Sequence, residues 1–294
     1  MSRKQLFFLI KIAATALLFM FLYHNKNLTV QNMKAIWTSA DKHMLAISFV
    51  LGLAFLAGNA VRWHYFVVTG GVVSTPLAST LSFLGGSLLS FITPGRAGEF
   101  GRGIFYQSGS MGTVALVTLA EKVYMTFFIL AFGTIGAFLG QKKLETGLFL
   151  PYPLILVGLT VLSGLFLYVI IKGNKLRIRS LFNAFPTNDM DRFFLLTLTN
   201  IVYVIGIFQI WFIVLAFFKI KLITAFITLS VTLIVLTFIP ITIGNMGIRE
   251  ACFIYVLGAL ENVPETIAFS AGILVFVQNI LIPAILGIPV FLKR

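Results

Sequence analysis

The chain has 294 residues, 59 % of them hydrophobic and only 11 % charged, against about 45–50 % and about 25 % in ordinary soluble domains. Twenty-two basic and nine acidic side chains are too few to coat a water-soluble particle of this size, and a mean hydropathy of +1.01 places the chain in a bilayer. Disorder, a disulfide scaffold and a nucleic-acid binder are excluded together, and the formal charge of +13 is assigned to basic loops beside anionic lipid.

In chain order, Leu6–Tyr23 reads as an uncleaved first span with its N-terminus inside, because it has span length and no small-residue cleavage site follows it. Val30, Met33 and Trp37 suggest a short interfacial helix outside. Full spans follow at Met44–Val68, Met111–Phe138, Leu148–Ile171, Phe193–Phe218 and Thr266–Leu292, each near the roughly 20 residues a crossing needs. Two further apolar runs behave differently. Thr75–Thr93 stops at Pro94-Gly95 and enters TPGRAGEFGRG, and Ile223–Pro240 stops at Pro240 and enters ITIGNMGIRE. Proline removes a backbone donor and glycine frees the backbone. Pro94, Gly95, Gly98, Pro240, Gly244 and Gly247 therefore mark two breaks, each followed by a short apolar return. Irregular backbone at membrane depth is tolerated where it is buried in protein or lines a wet cavity.

The fold expected is an all-α integral membrane protein with six full spans and two broken re-entrant hairpins. It forms one membrane domain over 1–294, with one repeat over 1–140 and a second over 146–294. Hairpins that do not cross leave three crossings per half, so the second half runs inverted, the build of many secondary transporters. Hairpins that cross fully leave four, and the repeats are then parallel. The distribution of Lys and Arg favours cytoplasmic termini, chiefly through the five basic residues of Lys172–Arg192. On this topology Arg62-Trp63 is an interfacial anchor at the inner end of the second span. Gly85 and Gly86 read as close-packing positions.

Seven charges are left at membrane depth: Arg96, Glu99, Arg102, Glu121, Lys122, Arg249 and Glu250. Each costs about 2.5–3.5 kcal/mol at a helix centre on insertion scales, so each is expected to be paired, solvated or functional. Glu99 and Arg102, three apart, share a helix face and can pair. Arg249 and Glu250 are adjacent, so they need partners elsewhere, and these are expected in the first hairpin. Free N–H groups at the start of each returning half-helix favour an anion, and arginine offers a bidentate fork for phosphate. Two readings fit: a site for a phosphate-bearing head group, and a set of salt bridges clamping the hairpins. For Glu121 and Lys122 the structural pairing is the simpler account. The sequence has no P-loop, H-E-x-x-H, G-x-S-x-G or Asp-rich motif, so no metal or cofactor is expected. The lone Cys252 can form neither an internal disulfide nor a metal site.

TPGRAGEFGR (Thr93–Arg102) resembles the P-G-x-x-G-E-x-x-R signature of the lysylphosphatidylglycerol synthase transmembrane region family, also called flippase-like. Gly247–Glu250 resembles its second motif, G-x-R-E, and Arg62-Trp63 and Glu121-Lys122 fall where it often has R-W and E-R/K. Members often carry an Asp four residues after that glutamate, where this chain has Met125. The resemblance implies a multi-span domain that moves or binds lipids with charged or phosphate head groups. The chain has no aminoacyl transferase domain, so lysyl transfer is not implied. The leading expectation is a flippase of the plasma (inner) membrane for a phospholipid or a polyprenyl-phosphate-linked lipid. Two alternatives remain: a membrane-embedded transferase on a lipid phosphate, with Glu99 or Glu250 as base, and a non-transporting lipid-binding partner subunit.

Overall fold

The computed structural model describes residues 30–106, 111–144, 157–165, 185–186, 188–239 and 242–293. These residues are helical apart from short connections. In chain order they form α1 (Val30–Ser39), α2 (Lys42–Thr69), α3 (Pro76–Ile92), a 3-10 segment (Pro94–Phe105) and α4 (Met111–Leu144). A short helix α5 over 157–165 precedes α6 (Asp189–Leu215), α7 (Leu222–Phe238), a turn (Ile243–Asn245) and α8 (Ile248–Glu261). The last rod is α9 (Glu265–Leu292), interrupted by a π-helical stretch at Val277–Leu281.

Among the described residues, α2, α4, α6 and α9 are long and apolar enough to cross a membrane. They coincide with four of the six spans expected from sequence. The span expected at Leu6–Tyr23 lies outside the described residues, and of Leu148–Ile171 only α5 is described. The two hairpin arms α3 and α7 are shorter apolar helices of 17 residues each. At 1.5 Å per residue such an arm reaches about 25 Å, less than the roughly 30 Å of hydrocarbon. Local chemistry sets the ends of these helices. Asp41 caps α2 by accepting from the backbone of His43 and Met44. Thr75 accepts from Ala78 N ahead of Pro76, which opens α3. Asn188 caps α6, and Asn262 closes α8 in the left-handed region at φ 54°.

α2 and α6 pack as an antiparallel pair. The N–H of Asp41, at the start of α2, donates to Ala216 O at the end of α6, 2.8 Å away. At the other end the Tyr65 and Phe194 rings lie 4.5 Å apart. Two further pairings cross between the halves: α4 packs on α7, and the end of α9 packs on α3. Both are antiparallel and both use glycine to bring backbones close. A Cβ at Gly133 would meet Ile234 at 2.0 Å, and one at Gly287 would meet the Leu84 carbonyl oxygen at 2.3 Å. The 3-10 segment and the Ile243–Asn245 turn touch each other, so the two bends meet inside the bundle.

The hairpins return differently. After α3 the chain does not resume an α-helix, because Pro94–Phe105 is wound as a 3-10 helix. It lies tightly along α3, with Gly86 leaving room for the Arg102 stem and Ser82 Oγ donating to Arg102 O at 3.0 Å. Both bends pass through positive φ, at Arg96 in the first (φ 59°) and at Gly244, Asn245 and Gly247 in the second, but after α7 the chain resumes a regular α-helix of 14 residues. A positive φ is cheap for glycine, and asparagine is the side chain that tolerates it best. Pro240 lies outside the described residues.

Candidate functional site

A cavity of about 460 Å³ runs between the two hairpins and α2, α4, α6 and α9. Its polar end is built by three elements. The 3-10 winding has three residues per turn, so positions three apart stack along one edge. Arg96, Glu99 and Arg102 stand at that spacing and form an ion ladder. Arg96 Nε lies 2.8 Å from Glu99 Oε1, and Arg102 Nη2 lies 3.1 Å from Glu99 Oε2. α4 contributes Glu121, whose Oε2 accepts from Arg102 Nη1 at 2.5 Å, and Lys122, which closes on Glu99. α2 contributes Arg62, whose Nη2 reaches Glu121 Oε1 at 3.1 Å, Asn59 Oδ1 at 2.8 Å and Met125 Sδ at 3.1 Å.

Arg62, Glu99, Arg102 and Glu121 are all buried. Arg102 also lies over the Trp63 ring, 4.3 Å from its centroid, and over Phe83 at 5.3 Å. Arg96 is exposed and Lys122 only partly covered. The Glu99–Arg102 pairing expected from spacing is present, on a 3-10 rather than an α-helical face. Arg62 and Trp63 are not an interfacial anchor: both are buried, and Arg62 is part of the ion cluster. Its position near the end of an apolar span, next to a tryptophan, resembled an anchor. The cost of an unpaired arginine in hydrocarbon is met here by a carboxylate from α4.

The second hairpin does not supply the partners expected of it. Glu250 turns back to its own helix start, and Gly247 N donates to Glu250 Oε2 at 2.5 Å, as in a capping box. It packs against Gly272 of α9, where a Cβ would meet Glu250 Cα at 3.1 Å, and it makes no salt bridge to the first hairpin among the described residues. Arg249 is buried, and its Nη1 has no hydrogen-bond partner among the described residues. Its guanidinium lies over the Phe276 ring, 5.8 Å from the centroid. The backbone N–H groups expected to receive an anion are also partly taken. Gly98 N donates to Thr93 Oγ1 at 2.6 Å, as Gly247 N does to Glu250.

The cavity wall carries two more buried groups without a hydrogen-bond partner among the described residues, Thr232 Oγ1 and Asn245 Oδ1. Asn279 on the cavity wall joins Gln209 and Gln278 in an amide network that the sequence reading did not single out. Gln209 Nε2 donates to Gln278 Oε1 at 2.7 Å and to Asn279 Oδ1 at 3.0 Å, and Asn279 Nδ2 returns a bond to Gln209 Oε1 at 2.9 Å. The π-helical stretch of α9 carries Gln278 and Asn279 on adjacent positions. Such stretches are frequent at functional sites. The signal in the sequence was three side-chain amides inside otherwise apolar spans.

Among the described residues lining the cavity, five are cationic (Arg62, Arg96, Arg102, Lys122 and Arg249) and two are carboxylates (Glu99 and Glu121). Both carboxylates are held by cations of the protein. The remaining wall is largely apolar, with Ile129, Leu229, Leu233 and Pro283 on it. This combination, a basic end and a hydrocarbon-like end, suits an amphiphile with an anionic head.

The long apolar helices make the chain an integral membrane protein. A comparison with curated proteins finds no match. The family model for the lysylphosphatidylglycerol synthase TM region matches residues 8–287, nearly the whole sequence, and the chain belongs to that family.

Proposed function

We propose that the protein binds a phosphate-bearing lipid in this cavity and carries its head group across the bilayer. The observation that carries the reading is Arg249, a buried guanidinium on the cavity wall whose Nη1 has no partner among the described residues. A buried charge without a partner is costly, and a lipid phosphate supplies the missing acceptor oxygens. The ion ladder opposite is the second half of the site. Glu99 and Glu121 there occupy the places a phosphate takes when it exchanges with them at Arg96, Arg102 and Lys122. The salt-bridge reading and the site reading then describe two states of one cluster.

Translocation is favoured over chemistry because each carboxylate that might act as a base is neutralised. Glu99 and Glu121 are ion-paired, and Glu250 caps its own helix. An inverted relation of the halves supports alternating access. The equivalent spans α2 and α6 are antiparallel, and each half's last span packs on the other half's broken arm. In this reading the chain sits in the plasma membrane with both termini cytoplasmic.

The test is a reconstituted assay of head-group-labelled phospholipid movement in vesicles, comparing wild type with Arg249→Gln. Since Arg249 forms no salt bridge among the described residues, the variant is expected to fold and to move lipid at least tenfold more slowly. Undiminished movement by the folded variant overturns the reading.

A further inference from the structure

Resting on the reading of Arg249 as a phosphate ligand, we infer that Phe276 positions the Arg249 guanidinium, and that the π-helical stretch beside Phe276 is the joint that sets its place. Arg249 is the second residue of α8, where the helix end repels a cation. It forms no salt bridge among the described residues, and its guanidinium lies over the Phe276 ring. A ring face orients a guanidinium without supplying acceptor oxygens, which leaves Nη1 open for a phosphate. Phe276 is itself seated. The Phe91 ring of α3 lies 6.3 Å away, centroid to centroid, and a Cβ at Gly244 would come within 3.3 Å of the Phe276 ring.

The angle of Phe276 about the α9 axis depends on the π-helical stretch. Ile282–Leu292 is anchored on α3, where Gly287 packs on the Leu84 backbone. Between that anchor and Phe276, the N–H of Ile282 donates to Val277 O, five residues back. Pro283 follows and has no N–H to give. A turn that holds an extra residue offsets the two parts of the helix by one residue's angle, about 100°. Winding the stretch back to α would therefore swing Phe276 away from Arg249. The amide network holds the π form. Gln278 and Asn279 are adjacent and would point about 100° apart in an α-helix, yet both bond Gln209 of α6. Gln278 Nε2 also reaches Ser48 Oγ of α2 at 3.4 Å. Gly52 of α2 leaves room for the pair, since a Cβ there would lie 2.8 Å from both Gln209 Nε2 and Gln278 Oε1.

The experiment is a double-mutant cycle on lipid movement by the full chain in phosphatidylcholine vesicles. The probe is a trace of phosphatidylethanolamine labelled on its head group with nitrobenzoxadiazole, bleached from outside by dithionite. Phe276→Leu removes the ring face and keeps an apolar side chain. Gln209→Leu frees the joint from α6 and carries the test if Phe276→Leu fails to fold. Each is expected to slow the probe about fivefold when Arg249 is present and less than twofold when Arg249→Gln is already in place, because both act through Arg249. A merely structural role slows the probe equally on the two backgrounds. If Arg249→Gln alone changes nothing, the phosphate reading falls and the inference falls with it. If Arg249→Gln slows the probe but Phe276→Leu has no effect, or the same effect on both backgrounds, the positioning role falls and the phosphate reading stands. Coupling at Phe276 without coupling at Gln209 keeps the positioning role and overturns the π-helical joint.

Discussion

Arg62 and Glu121 are fifty-nine residues apart in sequence and join α2 to α4 inside the bundle through a 3.1 Å ion pair. Glu121 is also the acceptor for Arg102, so one carboxylate ties the second span, the 3-10 return and the fourth helix together. Breaking a buried pair from one side typically costs about 3–5 kcal/mol, because the other charge stays buried. Glu121→Gln strands Arg62 and leaves Arg102 with Glu99 as its only carboxylate among the described residues. It is expected to lower the thermal unfolding midpoint in detergent far more than Lys122→Met, since Lys122 is partly exposed and Glu99 retains two other cations. Equal midpoints for the two variants would show that Glu121 is not the keystone.

Glu250 separates a capping role from that of the base considered in the transferase alternative. Glutamine also serves at this capping position, so Glu250→Gln is expected to keep both stability and lipid movement within about twofold. Glu250→Ala removes the cap and loses roughly 1 kcal/mol, the usual scale for a helix cap. Transport that stops in Glu250→Gln while the fold survives would return Glu250 to the proton chemistry considered from sequence.

The amide network gives a third test. Gln209→Leu leaves Gln278 and Asn279 facing a group that cannot bond them. Orphaning a buried polar group costs about 1–3 kcal/mol. Faster hydrogen exchange is expected around Val277–Leu281, measured by mass spectrometry, with α3 and α7 unaffected. Exchange unchanged across α9 would mean that the network does not hold the π-helical stretch.

Gly287 tests the contact between α9 and α3. A methyl group there would lie 2.3 Å from the Leu84 carbonyl oxygen, so backbone rather than a flexible side chain must move. Gly287→Ala is expected to cost about 1–3 kcal/mol, as other overpacked contacts do. Gly258→Ala, where a Cβ meets nothing within 4 Å, is expected to be neutral or slightly stabilising. The comparison is made by thermal unfolding, and a tolerated Gly287→Ala would show that the two helices separate freely.

Much of this was legible in sequence because the membrane punishes exceptions. Proline and glycine after an apolar run located both bends, and the three-residue spacing of Glu99 and Arg102 foretold their pairing. What escaped was partner choice. Arg62 sat among apolar neighbours beside Trp63, a pattern shared by buried and interfacial arginines, and only the position of α4 decides between them. Adjacent Arg249 and Glu250 were both expected to reach the first hairpin. The N–H at Gly247 was a nearer partner for Glu250, and its availability depends on a left-handed φ that the residue names alone do not report. The 3-10 return was hidden for a similar reason: it depends on how tightly the segment lies against α3.

The α3–α9 contact also has a consequence in time. A ribosome makes the first broken arm well before the helix end that covers it, Ile282–Leu292. Until then the ion ladder has its carboxylate partners but its arm has no neighbour on that side. The first hairpin must therefore wait in the insertion machinery or against lipid, and the pocket is completed only after synthesis of α9. Substitutions in the Ile282–Leu292 stretch are thus positioned to disturb residues made some two hundred positions earlier, as Gly287 and Leu84 show.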